Sequence, residues 1–139
     1  MAFSINPSFT SLFSAAILLV LLAPASSSLV GNSLDSGSEF YTGDNLAAGT
    51  FNFTMQPDCN LVLYDGQQAI WSSLTNGKGA GCKLQLQDDG ELTIVNDKAV
   101  VVWRSDTGGN TGKHSLVLKD NGVAVVYTTA VWSTGRRIT

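Results

Sequence analysis

Three tryptophans, each followed by a polar pair, divide this chain into three copies of one pattern. Trp71, Trp103 and Trp132 lie 32 and 29 residues apart, and each follows a line of residues that alternate in polarity. The three lines cover residues 51–64, 82–95 and 114–127, and they superpose without a gap. A unit of about 30 residues cannot bury its apolar face alone, so the repetition predicts three units that share one core.

The alternation inside each line predicts β-strands. Apolar residues recur at every second position, which is the period of a strand with one buried face. They are Phe53, Met55, Leu61 and Leu63 in the first line, Leu84, Leu86, Leu92 and Ile94 in the second, and Leu116, Leu118, Ala124 and Val126 in the third. Turn-forming residues interrupt the lines at 57–60, 88–90 and 120–122. Each line is therefore predicted to be a hairpin.

A further strand is predicted to carry each tryptophan, and the three indole rings are expected in the core. No part of residues 29–139 shows the 3.6-residue apolar period of a helix. The sequence therefore predicts an all-β domain of three antiparallel sheets of short strands around a shared axis. The third repeat has few residues between Tyr127 and Trp132, so the segment 32–48 is expected to supply its missing strands.

The start of the chain has the pattern of a secretory signal peptide. Residues 12–22 form a short apolar run, and the small residues 23–28 follow it. Residues 1–28 are therefore expected to be cleaved, which leaves 29–139 as a single secreted domain, extracellular or vacuolar. The alternative is a membrane anchor, but the apolar run is shorter than the roughly 20 residues that a span needs. No membrane span is expected after cleavage. Cys59 and Cys82 are expected to form a disulfide because the secretory pathway is oxidising.

Composition argues against several partners and chemistries. Charged residues make up 14% of the chain and the formal net charge is −3, which disfavours nucleic acid or an anionic membrane as partner. One His and two Cys do not make a zinc site, and no metal or other cofactor is expected. His114 has the inward parity and is expected to be packed or hydrogen-bonded rather than catalytic. Because no Ser or Cys nucleophile has a recognisable His partner, the chain is not expected to be an enzyme.

The opposite parity of the first line carries a set of side chains that suits a sugar. It consists of Gln56, Asp58, Asn60, Val62 and Tyr64, which should share one face because they lie two residues apart. Asp58 can accept hydrogen bonds from hydroxyl groups, the amides can donate and accept, and Tyr64 can do both. Val62 offers a small apolar surface to the C–H face of a pyranose. The alternative is a solvated face that binds nothing.

Residues 56–64 match the pattern Q-x-D-x-N-x-V-x-Y, through which the chain resembles the monocot mannose-binding lectins, the snowdrop-lectin family. The resemblance covers nearly all of residues 29–139, including the repeat length, both cysteines and all three tryptophans. It implies a β-prism II fold, metal-independent binding of terminal mannose, a role in defence, and often dimers that exchange C-terminal strands. It further implies that Asp58 and Asn60 hold the 2-hydroxyl of mannose. Gln56 would reach the 3-hydroxyl and Tyr64 the 4-hydroxyl, with Val62 against the ring.

The other two repeats depart from this pattern. The corresponding residues are Gln87, Asp89, Glu91, Thr93 and Val95 in the second repeat and Lys119, Asn121, Val123, Val125 and Tyr127 in the third. Glu91 replaces an amide by a second carboxylate, and Val95 lacks a phenol. The third repeat loses both the carboxylate and the amide that follows it. Both sites are therefore predicted to be degenerate, and one intact site remains.

The predicted function is recognition of terminal mannose on glycans, without catalysis. A shallow site on one hairpin should bind a single sugar weakly, so a homodimer or larger oligomer is expected to supply avidity. The rival function is that of a lectin-like protein that binds no sugar and acts through protein contacts as a subunit of an assembly. The loss of polar groups on the third face favours this rival. Asn52 begins an N-glycosylation sequon, 52–54, beside the sugar patch.

Overall fold

The computed structural model describes residues 31–129, which form eleven β-strands and no helix, so the all-β prediction is confirmed. The strands are β1 (Ser33–Asp35), β2 (Glu39–Tyr41), β3 (Asn45–Ala48), β4 (Phe51–Met55), β5 (Leu61–Asp65), β6 (Gln68–Ser72), β7 (Lys83–Leu86), β8 (Leu92–Val95), β9 (Val101–Arg104), β10 (Lys113–Leu118) and β11 (Ala124–Thr129). No helix in this range could span a bilayer. The predicted signal peptide, residues 1–28, and Trp132 lie outside the described residues.

The strands form three antiparallel sheets, one for each repeat. Their strand orders are β3-β4-β5-β6, β2-β7-β8-β9 and β1-β10-β11. The predicted hairpins are β4-β5, β7-β8 and β10-β11, and they turn at equivalent places in the three repeats. In each hairpin the inward parity is buried in the common core or packed against it, as the alternation predicts.

The segment before the first hairpin is shared among the three sheets. β1 pairs with β10, β2 with β7 and β3 with β4, and Leu34, Phe40 and Leu46 each bring a buried side chain to the core. The expectation that this segment completes the third repeat therefore holds for β1 alone. Gly37 and Gly43 have positive φ and turn the chain between these strands, so that it steps from one sheet to the next.

Each hairpin turn packs against the first residue of the following repeat. The equivalent turn positions, all with positive φ, are held by Cys59 (70°), Gly90 (88°) and Gly122 (77°). Cys59 is bonded to Cys82 with their Cα atoms 5.1 Å apart, as predicted. A Cβ built on Gly90 would lie 2.9 Å from the ring of His114, and one on Gly122 would lie 2.5 Å from the ring of Phe51. These three contacts, which we call seams, close the repeats into a ring.

The two described tryptophans lie at one end of the core. Trp103 is partly buried, but Trp71 is 42% exposed, so the prediction that Trp71 is a core residue is wrong in this respect. The centroid of the Trp71 ring lies 5.9 Å from that of Phe53 and 6.1 Å from that of Trp103. Both indoles border a cavity of about 640 Å³. In the third sheet no strand within residues 31–129 takes the place that β6 and β9 have in the other two sheets.

Candidate functional site

The outer face of the first hairpin brings together the five residues that the sequence singled out. Gln56 follows β4, Asp58 and Asn60 lie in the turn, and Val62 and Tyr64 are on β5. The turn is closed by two backbone hydrogen bonds, from Gln56 N–H to Asn60 O at 2.9 Å and from Cys59 N–H to Gln56 O at 3.1 Å. The set therefore stands on a hydrogen-bonded hairpin within a four-stranded sheet.

Asp58 stabilises the turn with one carboxylate oxygen and exposes the other. Its Oδ1 accepts a hydrogen bond from the backbone N–H of Asn60 at 2.9 Å. The side chain is exposed, and no other donor among residues 31–129 bonds to its carboxylate. One oxygen is thus held in place while the second can accept a hydrogen bond from a ligand.

Asn60 has its amide orientation fixed by the residues that follow β6. Its Oδ1 accepts hydrogen bonds from the Ser73 hydroxyl and from the backbone N–H of Thr75, each at 3.2 Å. A backbone N–H can donate but not accept, so the oxygen of the amide must face Thr75. The Nδ2 group is then left as a donor with no partner among residues 31–129, in the same turn as the free oxygen of Asp58.

Ser73 and Thr75 are site-positioning residues that the sequence reasoning missed. Both are buried. Ser73 Oγ accepts from the backbone N–H of Leu61 at 3.0 Å and lies 2.7 Å from Thr75 Oγ1, which donates to the carbonyl of Cys59. Their signal in the sequence is a Ser-x-Thr motif two residues after the tryptophan, which recurs as Ser105-x-Thr107.

Gln56 and Tyr64 form a hydrogen-bonded pair across the same face. The Gln56 amide donates to the Tyr64 hydroxyl, and both side chains are half-buried. Val62 lies on this face but is only 3% exposed, so it is not the open apolar surface that the alternation predicted. Its strand partners, Thr54 on β4 and Ser72 on β6, flank it on both sides. Val62 is therefore the floor of the site.

The second hairpin repeats this scaffold. Asp89 Oδ1 accepts from the backbone N–H of Glu91 at 3.0 Å, as Asp58 does from Asn60. Ser105 Oγ accepts from the backbone N–H of Leu92 at 2.9 Å, and Thr107 Oγ1 donates to the carbonyl of Gly90 at 2.8 Å. The backbone framework of the two sites is thus the same, and they differ in the side chains mounted on it.

The side chains of the second face form other bonds. Glu91 pairs with Arg104 at 3.2 Å, and Arg104 stands where the first repeat has Ser72. Gln87 donates to Thr93 Oγ1 at 3.2 Å, since Val95 offers no hydroxyl group. On the same sheet, the hydrogen bond from Lys83 lowers the pKa of the Glu39 carboxyl. This face presents ion pairs where the first face presents an oriented amide and a phenol.

The third face keeps the turn but not the chemistry. Asn121 Oδ1 accepts from the backbone N–H of Val123 at 3.3 Å. Lys119 replaces Gln56, and its ammonium lies 5.4 Å from the centroid of the Tyr127 ring. Val123 and Tyr127 are exposed, and Val125 is half-buried. The face is therefore largely apolar and has no carboxylate acceptor among these residues.

Asn52 lies at the border of the site, and His114 lies in a seam. Asn52 is half-buried and pairs with Tyr64 across the strands, and its Oδ1 accepts from Asn45 Nδ2 at 3.2 Å, so the sequon borders the site. His114 is 2% exposed, and neither ring nitrogen has a hydrogen-bond partner within the described residues. It is packed in a seam, as expected. Among residues 31–129, no cluster of His, Cys, Asp and Glu could hold a metal ion.

Several plant lectins are similar to the chain in sequence. The mannose-specific lectin of Aloe arborescens is 38% identical over 105 residues, which are 75% of this chain and 96% of that lectin. Mannose-specific lectin 1 of Colocasia esculenta is 43% identical over 103 residues, which are 74% of this chain and 38% of that lectin. The chain therefore matches about two-fifths of the length of the Colocasia protein. No profile of a known protein family matches the chain.

Solved lectin structures share its three-sheet arrangement. The snowdrop (Galanthus nivalis) agglutinin, complexed with methyl-α-D-mannoside, is 41% identical with a TM-score of 0.71, over 78% of this chain and 99% of that chain. The bulb lectin of bluebell (Scilla campanulata) is 34% identical with a TM-score of 0.70, over 77% of this chain and 99% of that chain. Tarin lectin bound to trimannose is 41% identical with a TM-score of 0.68, over 75% and 94% of the two chains.

Proposed function

We propose, since the chain belongs to the family of monocot mannose-binding lectins, that its first repeat binds terminal mannose and that its second and third repeats do not. The fold is the β-prism II of that family. The relatives are carbohydrate-binding proteins and not enzymes. No cofactor takes part in the proposed binding.

The observation that carries this proposal is the fixed amide of Asn60. Its oxygen is engaged by Ser73 and Thr75, so its Nδ2 is a free donor in the same turn as the free acceptor of Asp58. Neighbouring hydroxyl groups of a sugar each donate and accept, and a fixed donor–acceptor pair can recognise one of them without reorganising. The Gln56–Tyr64 pair supplies further polar atoms within the same face.

The other two faces lack this pair. Glu91 brings an acceptor in place of a donor and is already bonded to Arg104. Two carboxylates side by side would both accept from a hydroxyl, which has one proton to give. On the third face, Lys119 and Val123 stand in place of the two amides of the first face, and Asn121 stands in place of its carboxylate. These differences support a single mannose-binding site in each chain.

The test compares two matched substitutions. Asp58→Ala should raise the dissociation constant for methyl α-mannoside about 10- to 100-fold, because a charged acceptor is worth roughly 1.5–3 kcal/mol. Asp89→Ala removes the same turn contact from the second repeat and should leave mannose binding unchanged. Isothermal titration of the wild type should give one site per chain. Equal loss in both variants, or three sites per chain, would contradict the assignment.

Useful binding by such a site requires linked copies. A single shallow sugar site reaches about millimolar affinity, and joining sites in one particle raises the avidity. We therefore propose a homodimer or larger oligomer, for which the apolar third face is a suitable contact surface. Sedimentation of the purified chain measures the oligomeric state directly.

The second candidate function is protein binding without sugar recognition. The exposed apolar side chains of Val123 and Tyr127 favour it, because soluble proteins seldom leave such patches uncovered. Retention on a mannose column, with elution by free mannose, separates the candidates. A chain that passes through the column unretained would belong to the second.

The proposed setting is the secretory pathway, with an extracellular or vacuolar destination and a role in defence against organisms that display high-mannose glycans. The pattern of residues 1–28 and the cysteine pair support the pathway. Expression in a plant host, followed by mass measurement of the mature chain, tests whether 29–139 is the processed form.

A further inference from the structure

Leu74 combines two features that are individually unfavourable. Its backbone φ is +57°, in the left-handed region that a bulky side chain adopts with strain. Its side chain is 74% exposed, so it gains little from apolar burial. A strained and exposed apolar residue is a reason to look for a function at that place.

The position of Leu74 links it to the proposed sugar site. It lies between Ser73 and Thr75, which both hold the amide oxygen of Asn60 at 3.2 Å. Since β6 and β4 flank β5 on opposite sides, Leu74 borders the site on the side of β6, whereas Gln56 borders it on the side of β4. A group that is attached to a sugar bound at Asn60 and directed toward β6 would therefore meet Leu74.

The second repeat shows that the backbone does not require leucine there. Asp106 is the equivalent residue, with φ of +56°. Asp and Asn adopt the left-handed conformation more readily than leucine does. The chain thus carries an apolar side chain beside the intact site and a polar one beside the degenerate site.

We propose that Leu74 is a specificity-determining residue, an apolar wall for the group attached to the mannose bound in the first repeat. The proposal rests on mannose binding by that repeat and adds the class of ligand. The site would favour mannosides whose attached group presents a ring or other apolar surface over those that carry a methyl group. Contact between Leu74 and that group would offset the exposure of the leucine.

The experiment measures two ligands against three proteins. Methyl α-mannoside and phenyl α-mannoside are titrated into the wild type, Leu74→Asn and Val100→Asn. Asn suits the left-handed backbone, so Leu74→Asn should fold as well as the wild type. Val100 is likewise exposed but belongs to the second repeat, and its substitution is the matched control.

We expect the wild type and Val100→Asn to bind the phenyl glycoside several-fold more tightly than the methyl glycoside. In Leu74→Asn the ratio should fall to about one, while the affinity for methyl α-mannoside stays within about twofold. An unchanged ratio in Leu74→Asn, or a wild type that does not distinguish the ligands, would overturn this proposal alone. A wild type that binds neither ligand would overturn the mannose site as well.

Discussion

At the scale of single residues, the site depends on which atoms the protein has already engaged. The sequence pattern identifies Asn60 and places it on the outer face, but it cannot show that its oxygen is bonded to Ser73 and Thr75. Alternation assigns a side chain to a face and says nothing about its rotation or cover. For the same reason the alternation places Val62 on the correct face but does not show that its side chain is buried there.

His114 gives a stability prediction at this scale. Both of its ring nitrogens are buried without hydrogen-bond partners among residues 31–129, and a buried polar group in that state costs about 1–3 kcal/mol. In the equivalent seam, the phenyl ring of Phe51 packs against Gly122. His114→Phe should therefore raise the free energy of unfolding by about 1 kcal/mol, measured as a higher urea midpoint.

The reciprocal substitution serves as the control. Phe51→His places an imidazole in the seam between the third and first repeats and should lower the urea midpoint. If His114→Phe were to lower the midpoint instead, the cavity beside His114 would have to be too small for the phenyl ring, and the equivalence of the two seams would be refuted.

At the scale of elements, the hairpins were predictable because two independent signals agree. The period of two fixes the strands, and the turn residues at 57–60, 88–90 and 120–122 fix where the chain reverses. The segment 32–48 is harder to place, since its three strands are short and two of them, β1 and β2, pair with strands far away in the sequence. Its loose alternation does not specify which sheet each strand joins.

The shared scaffold of the first two hairpins predicts that a second sugar site can be built. In the triple variant E91N/V95Y/R104S, the new amide can accept from Ser105 and from the Thr107 backbone as Asn60 does from Ser73 and Thr75. The new phenol can accept from Gln87, and the guanidinium no longer covers the face. Titration with methyl α-mannoside should then give two sites per chain.

A matched variant isolates the amide. V95Y/R104S keeps the carboxylate of Glu91 and should still give one site per chain. Should the triple variant also give one site, either the buried Thr93, which stands where the first repeat has Val62, or the loop after β9 would have to exclude the sugar. The scaffold alone would then not define the site.

At the scale of the whole molecule, three sheets share a core that none of them could form alone. The repeat pattern predicted this arrangement, but it did not predict the exposure of Trp71. A tryptophan in a repeat is buried only if its neighbouring sheet supplies the cover. The third sheet has three strands within residues 31–129. The number of strands in a sheet depends on tertiary pairing, so the alternation within the hairpins does not predict it.

The disulfide ties two repeats together and is anchored in the turn of the proposed sugar site, because Cys59, whose side chain is buried in the core, stands between Asp58 and Asn60. Cys59 has the left-handed conformation that glycine adopts in the other two turns, and its bond to Cys82 helps to hold it there. We expect a thiol reductant to weaken mannose binding and lower the unfolding temperature together. Binding should resist the reductant in Cys59→Gly with Cys82→Ala, whereas Cys59→Ala with Cys82→Ala should bind poorly even without the reductant.

Failure of the glycine variant to bind would show that the covalent link, and not the turn conformation, is what the site needs. In either case, a chain that has not yet met an oxidant would hold its ligand poorly. Newly made protein would then be inert toward the mannose-rich glycans of the cell that makes it, until the same reaction that completes its fold also activates it.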